Sequence, residues 1–471
     1  MKHIRLQLSF LMAIGCLSSV VPQASAQKVN SLYFLENTPI QTKLNPAMAP
    51  KYSGFGIGLS DFSYYVQSDL AFDDLFYPGP NGELQTFMHP DVDKQAFLDG
   101  LNDVTNVRTG MNLDLFNLGI RLKNNYFSLH SGINMDLGMQ LPKDLFRLVV
   151  EGMDADAAST QFDLTSTNVN MMVYNKTGVG FATKIGSMFS VGVNANYLAG
   201  IANTKIKFDK LTINAAQSGW DVTSKGSIEL AGPEQLNLSY SEDGYLDGID
   251  ETFSSSKSQT VSDYSSLPQA GSGFSVDLGM TAKLLPFLTL SASITDLGAI
   301  NWKKKYIQKA SSNGTFTYDG LDIDFSDNSG NNDDQSKLSD EIKELVRFEK
   351  QNVTKGYSSR LTTKLNLGAE AGVLNNHITF GVLSQTGFAE DGTYQDLMLS
   401  ANLKPGSALQ TAFTYSLLHG SMNSFGAAIS TKLLFLNIFF AADYIPTKYS
   451  PQMIPVNNSY FNTQFGFNFM F

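Results

Sequence analysis

Along most of this chain apolar and polar residues alternate one by one. In NYFSLHSGINMDLGMQ, 125–140, Phe127, Leu129, Ile133, Met135 and Leu137 share one parity, and Ser128, His130, Asn134 and Asp136 the other. In GFSVDLGMTAKLL, 273–285, Phe274, Val276, Leu278 and Met280 alternate with Ser275, Asp277, Gly279, Thr281 and Lys283. The closing FNTQFGFNFMF sets Phe461, Phe465, Phe467, Phe469 and Phe471 against Asn462, Gln464, Gly466 and Asn468. A period of two held over ten or more residues predicts long strands with opposed faces. Strands of soluble domains usually run about 5–6 residues, whereas a membrane-crossing strand needs roughly 9–11. The lengths here favour the second class, against a soluble solenoid or sandwich.

The pattern places fourteen strands, near 54–66, 110–122, 125–138, 168–186, 188–201, 272–284, 287–300, 358–372, 377–388, 392–404, 408–419, 422–433, 434–446 and 460–471. Connections after the even-numbered strands are all short, among them Lys123-Asn124 and Pro405-Gly406-Ser407. Those after odd-numbered strands are mostly long, at 67–109, 139–167, 202–271, 301–357 and 447–459. Outer-membrane barrels have this asymmetry. The expected fold is all-β: a transmembrane antiparallel β-barrel of about 14 strands, both termini at the short-turn rim. Asn175-Lys176-Thr177-Gly178, inside the fourth strand, also has turn composition, and a turn there would break the even count.

Composition agrees. Charged residues make up only 16% of the chain, against about 25% in soluble domains. Lys2 and Arg5, the apolar run from Leu6 to Val21 and Ala24-Ser25-Ala26 read as a secretory signal cleaved after Ala26. The rival is a lipoprotein signal acylated at Cys16, for which Ala13 is a poor residue three positions before the cysteine. Cleavage after Ala26 removes the only cysteine and leaves 31 basic residues against 44 acids, a net charge of −13. Disulfides and thiol chemistry are then excluded, and nucleic acid is an unsuitable partner for so acidic a chain. No later stretch of 18 apolar residues offers a membrane helix.

Three regions follow: 1–26 as signal, 27–53 as an N-terminal periplasmic or plug segment, and 54–471 as the barrel. Leu32, Tyr33, Phe34 and Leu35 argue against a solvated leader, since such a cluster is unfavourable in water. Helical spacing appears at 91–102, 142–152 and 339–351, read as short loop helices packed on the rim or as receptor contacts.

Candidate chemistry is sparse. His89, His130, His377 and His419 fall in no metal-ligand spacing, and GxSxG, CxxC and phosphate loops are absent from the sequence. Of these, His130 lies well inside a strand. Ser128, two positions away on its face, is about 6–7 Å distant at strand rise, too far for direct proton transfer. The expectation is therefore no enzyme and no cofactor. Lumen-lining candidates are His130, Asn134, Asp136, Asp277 and Lys283. Asp-Leu-Gly recurs at 136–138, 277–279 and 296–298; its glycines either open a polar constriction or accommodate close packing in the lumen. The acidic 321–337 fails the calcium-loop register, since Phe325 would stand at the first ligand position.

SLYFLENTP (31–39), LNPAMAP (44–50), SITDLGAINW (293–302) and the terminal Phe471 resemble an uncharacterised family of outer-membrane barrels from Bacteroidota-type bacteria. That family is similar to the long-chain fatty-acid transporter class. The resemblance implies a fourteen-stranded barrel with an N-terminal plug in the outer membrane of a Gram-negative cell. It implies passive uptake of small hydrophobic or amphipathic solutes. It also implies insertion by the outer-membrane assembly machinery, which would read Phe467, Phe469 and Phe471. Expected partners are outer-membrane lipid, that machinery and a hydrophobic small molecule. The alternative function is a non-transporting barrel that docks a surface or secretion partner through its long loops.

Overall fold

The computed structural model describes residues 31–50 (save 37 and 39), 54–251 (save 71, 79–83, 90 and 153–158), 269–318, 346–443 (save 391, 407 and 419–421) and 460–471. The wall strands are β1 (Gly54–Ser68), β2 (Val104–Leu122), β3 (Asn125–Pro142), β4 (Asn168–Ile185) and β5 (Phe189–Ala216). Next come β6 (Gly271–Leu285), β7 (Leu288–Trp302), and β8, split into Tyr357–Arg360 and Thr363–Val373. The ring continues with β9 (Ile378–Ala389), β10 (Gly392–Leu403), β11 (Leu409–Leu418) and β12 (Met422–Leu433), then β13 (Leu436–Ala442) and β14 (Tyr460–Met470). Each pairs antiparallel with its sequence neighbour, and β14 returns to β1 with Gly56 opposite Met470. The result is a closed, fourteen-stranded antiparallel barrel, which leaves no free edge in the wall.

Side-chain parity divides inside from outside. On β14, Phe461 and Phe465 are 40% and 48% exposed, while Asn462, Gln464 and Asn468 are buried. The same division holds on β6, where Phe274 is 71% exposed and Asp277 buried. Short turns close one rim with residues in the left-handed region: Lys123 (φ 53°), Asn375 and Asn376 (57° and 65°), and Gly186 (62°). Residues Asn175–Gly178 are not a turn. They pair with Ile133–His130 on one side and with 196–199 on the other, so the ladder overrides local turn propensity.

At the other rim the wall continues into a lobe. The second half of β5 runs beyond the barrel and pairs with Gly219–Ala231, which pairs with Ile307–Tyr318. Ser159–Asp163 and Glu349–Gln351 extend this sheet, and the hairpin of Leu236–Tyr240 with Leu246–Glu251 packs beside it. Its core holds Phe162, Ile213, Trp220, Val222, Leu230 and Phe348. Parts of 202–271 and 301–357, expected as plain connections, are therefore strand.

Two expected loop helices are present. The first, α1, is Lys94–Gly100, capped by Asp93 accepting from the Ala96 amide; the second, α2, is Lys143–Val150. They pack on each other through Phe97, Leu98 and Val150, with Phe146 against them. The third expectation, 339–351, is corrected at its end. Glu349–Gln351 is a strand held by Lys309–Ser311, and 339–345 lie outside the described residues, as do 1–26 and 321–337.

Candidate functional site

The inner wall is not empty. Residues 31–50 contact strands around the ring. Asp443 accepts from both the Ser31 amide and the Ser31 hydroxyl, and Thr414 Oγ1 lies 2.8 Å from Ser31 Oγ. Tyr33 Oη is 3.0 Å from Ser291 Oγ on β7. The Glu36 amide donates to Gln410 on β11 (2.7 Å). Lys43 pairs with Asp114 on β2 and lies 3.9 Å from Asp61 on β1. Arg121, near the short-turn rim, donates to the Ala49 and Pro50 carbonyls at 3.1 and 2.5 Å.

A row of small inward residues seats the middle of this segment. Gly192 on β5 lies opposite Gly279 on β6, Gly279 opposite Ser293 on β7, and Ser293 opposite Asn366 on β8. A Cβ at Gly192 would stand 2.4 Å from the Pro46 carbonyl carbon, and one at Gly279 2.1 Å from Asn45 Oδ1. Ser293 Oγ and Asn366 Nδ2 both donate to the Leu44 carbonyl, at 2.6 and 3.2 Å. Asn45 Nδ2 donates to the strand carbonyls of Met280 and Ala292. Gly381, Gly368 and Gly426 likewise face Phe34, Tyr33 and Ser31. Glycine here makes room for close backbone approach. The apolar residues of the segment meet apolar wall. Tyr33 and Phe34 pack with Leu383, Met398 and Tyr460; Leu32, Leu35 and Ile40 pack with Ala412, Ala428 and Phe439.

Toward the long-loop rim lies a charged layer. Lys176 Nζ is 2.6 Å from Asp296 and 3.3 Å from Asp277; Lys364 is 3.6 Å from Asp296. Asn194 and Asn196 donate to Asp277 at 3.2 and 3.1 Å. The Asp296 amide donates to Asp277 Oδ1 at 2.7 Å, where Asp296 takes φ 59° beside a bulge between β6 and β7. That irregularity turns the Asp296 carboxylate toward Lys176.

The sequence candidates fall as follows. His130 is buried, with Nε2 2.9 Å from Asn196 Oδ1, reaching past Gly178, where a Cβ would meet both side chains. Asn134 accepts from Asn112 Nδ2 at 2.5 Å. Asp136 accepts from the Tyr65 hydroxyl at 3.2 Å. Asp277 is the buried centre of the charged layer. Lys283 stands apart, exposed near the short turn beyond Leu285, and joins none of these contacts. Of the Asp-Leu-Gly glycines, Gly279 faces the N-terminal segment, Gly138 borders a cavity, and Gly298 packs on the β6 backbone. Among the described residues no three His, Asp or Glu side chains converge as a metal site. The partners missed from sequence are Lys43, Asp61, Asp114, Lys176 and Asp443. Asp61, Asp114 and Lys176 sit on the inward parity of their strands, whereas Lys43 lies in the short helix Ile40–Leu44 and Asp443 just past β13; which elements face one another is not written in local pattern.

The cavity, about 60 Å³, is lined by Tyr65, Arg108, Asp136, Asp296, Lys364 and Tyr394 among others. At roughly 10–15 Å³ per water it has room for about four to six. Asp296 and Lys364 of the charged layer are part of its lining.

A family model spans most of the chain, residues 46–443. The chain belongs to DUF5723, a family of unknown function. No curated protein matches it in sequence. Solved structures similar to this DUF5723 member include a Pseudomonas aeruginosa FadL homologue, 9% identical over 95% of this chain and 100% of that one, TM-score 0.44. The Pseudomonas putida toluene transporter TodX is 9% identical over 96% of each chain, TM-score 0.38. The translocator domain of the Neisseria meningitidis autotransporter NalP is 7% identical over 89% of each, TM-score 0.33. At these scores the fold is read from this chain's own strand pairing.

Proposed function

We propose that this DUF5723 barrel lies in the outer membrane of a Gram-negative cell and admits small hydrophobic or amphipathic solutes by diffusion, with residues 31–50 as a plug. The exterior carries Phe274, Phe380, Phe413, Phe440 and Phe465, each about half-exposed or more. So continuous an apolar surface is stable in lipid and unfavourable in water. The observation that carries the uptake reading is the apolar wall under the plug. Leu383, Met398, Phe439, Ala412 and Ala428 face inward and are covered by Leu32, Phe34 and Leu35. A plug that shifts uncovers an apolar path, whereas a channel for ions would gain nothing from one. The described contacts of the plug with the wall are hydrogen bonds, ion pairs and apolar packing, none of them part of the strand ladder, so it can move without breaking the wall.

A second reading has one observation in its favour: the lobe beyond the long-loop rim has its own core around Trp220 and Val222, more than a simple channel requires. On this reading the barrel displays the lobe to a surface or secretion partner.

Uptake of labelled fatty acids and neutral hydrophobic compounds by a deletion strain, with and without the restored gene, separates the two. Faster uptake on restoration supports the channel. Equal uptake across the panel, with a stable partner recovered through the lobe, overturns it in favour of docking.

A further inference from the structure

We propose that the turn Lys303-Lys304-Lys305, with Lys355 beside it, binds the phosphate groups of an anionic glycolipid in the outer leaflet. The site rests on the outer-membrane reading above but uses neither the lumen nor the plug. In a chain of net charge −11, three consecutive basic residues stand out. All three lysines are exposed, at the point where β7 leaves the wall for the lobe. Lys355 is exposed too. Its neighbour Gly356 packs against the carbonyl of Trp302 and lies near the amide of Lys304, which brings the fourth cation to the same turn. Among the described residues, Lys304 and Lys355 have no carboxylate partner. Lys305 is 3.7 Å from Glu234, but that acid is 74% exposed, and so solvated a pair is too weak to cancel the charge.

Contacts set the height of the patch against the membrane. Lys303 Nζ donates to the Gln269 carbonyl at 3.3 Å, and the Gln269 side chain accepts from the Tyr197 hydroxyl at 2.8 Å. Tyr197 packs edge-on against Phe274, with ring centroids 5.5 Å apart, and both are exposed on the outer face of the wall. An aromatic pair on the outer face, with its one hydroxyl turned toward the rim, marks the boundary between hydrocarbon and headgroups. The lysines therefore project at headgroup depth. The long-loop rim faces the cell exterior, and the outer leaflet there is built from a phosphorylated glycolipid. Lysine on a flexible stem is suited to a phosphate as a mobile point charge.

The test uses the full chain in zwitterionic lipid vesicles, with bisphosphorylated lipid A titrated against the dephosphorylated form and bound lipid read by native mass spectrometry. At about fivefold per lysine, K303Q/K304Q/K305Q is expected to weaken phosphorylated lipid binding roughly hundredfold. The preference should shrink with added salt. Lys283→Gln, at the opposite rim, should leave it unchanged. Equal binding of the two lipid forms, or a triple variant that binds as wild type, would overturn the site. Failure of the wild-type barrel to insert into vesicles would instead overturn the membrane reading beneath it.

Discussion

Replacing Gly192 by valine should unseat the plug while sparing the wall. The side chain of residue 192 points at Pro46, and its Cβ would come within 2.4 Å of the Pro46 carbonyl carbon and oxygen. Ordinary contact begins near 3.4 Å, so the plug must retreat by about 1 Å even for alanine, and further for valine. The opposing atoms are backbone, held in turn by Ser293 and Asn366 on the Leu44 carbonyl, and cannot rotate aside. Overpacking of this kind costs about 1–3 kcal/mol, which shifts the seated-to-displaced ratio roughly 5–150-fold. The strand itself is not harmed, because valine suits a β-strand and the ladder bonds of Gly192 are backbone bonds. Single-barrel conductance in a planar bilayer and trypsin cleavage after Lys43 are both expected to rise in Gly192→Val. A smaller rise is expected in Gly192→Ala. Gly100→Ala, whose Cβ meets nothing within 4 Å, should behave as wild type. Wild-type conductance and cleavage in a Gly192→Val barrel that still shows the heat-modifiable gel shift of a folded protein would refute the seating argument.

Three further outcomes follow from the polar anchors and the closing strand. Lys43→Met leaves the buried carboxylate of Asp114 without its cation and should cost about 3–5 kcal/mol at the plug; Asp114→Asn added to it should restore part of the loss, measured as protease resistance of residues 31–50. Lys176→Met leaves Asp277, whose side chain is 1% exposed, without its cation though not without its hydrogen bonds, and should lower the heat-modification midpoint, while Lys176→Met/Asp277→Asn/Asp296→Asn recovers most of it; a single variant as stable as wild type would contradict the charged layer's role. Phe471→Ala removes a ring stacked on Phe435 at 5.9 Å but keeps the hydrogen bond its amide donates to the Phe55 carbonyl, so it should reduce the amount of heat-modifiable barrel in the membrane fraction more than Phe461→Ala at the strand's far end.

The wall was legible because its information is local. Each strand needs a period of two, and a register slip of one would bring Phe465 inside and Gln464 into lipid. The lobe had a signal too, in Ile206, Phe208, Leu211 and Ile213 followed across Gln217-Ser218 by Trp220, Val222, Ile228 and Leu230. The same residues also read as connections, because an outer-membrane barrel carries its long loops at that rim. The plug's partners were illegible for a different reason. Lys43 finds Asp114 across 71 residues of chain, and Lys176 finds Asp296 across 120, distances over which no periodicity carries pairing. Gly192 reads as an ordinary strand glycine until Pro46 is seen against it. Lys283 shares the parity of Asp277, yet a register irregularity at the end of β6 and its place by the turn leave it exposed.

If solutes pass through the lumen and residues 31–50 limit them, fixing those residues to the wall must slow entry. Ser31 Oγ and Thr414 Oγ1 are 2.8 Å apart, close enough for a disulfide when both residues are replaced by cysteine, and the expected mature chain offers no competing thiol. The Ser31→Cys/Thr414→Cys barrel is to be reconstituted in vesicles and the entry of a labelled hydrophobic solute followed with the bond formed and reduced. Entry should be slow while the plug is tethered and reach the wild-type rate once the bond is reduced; this is the result lumenal passage requires. Equal entry in the two states would contradict it.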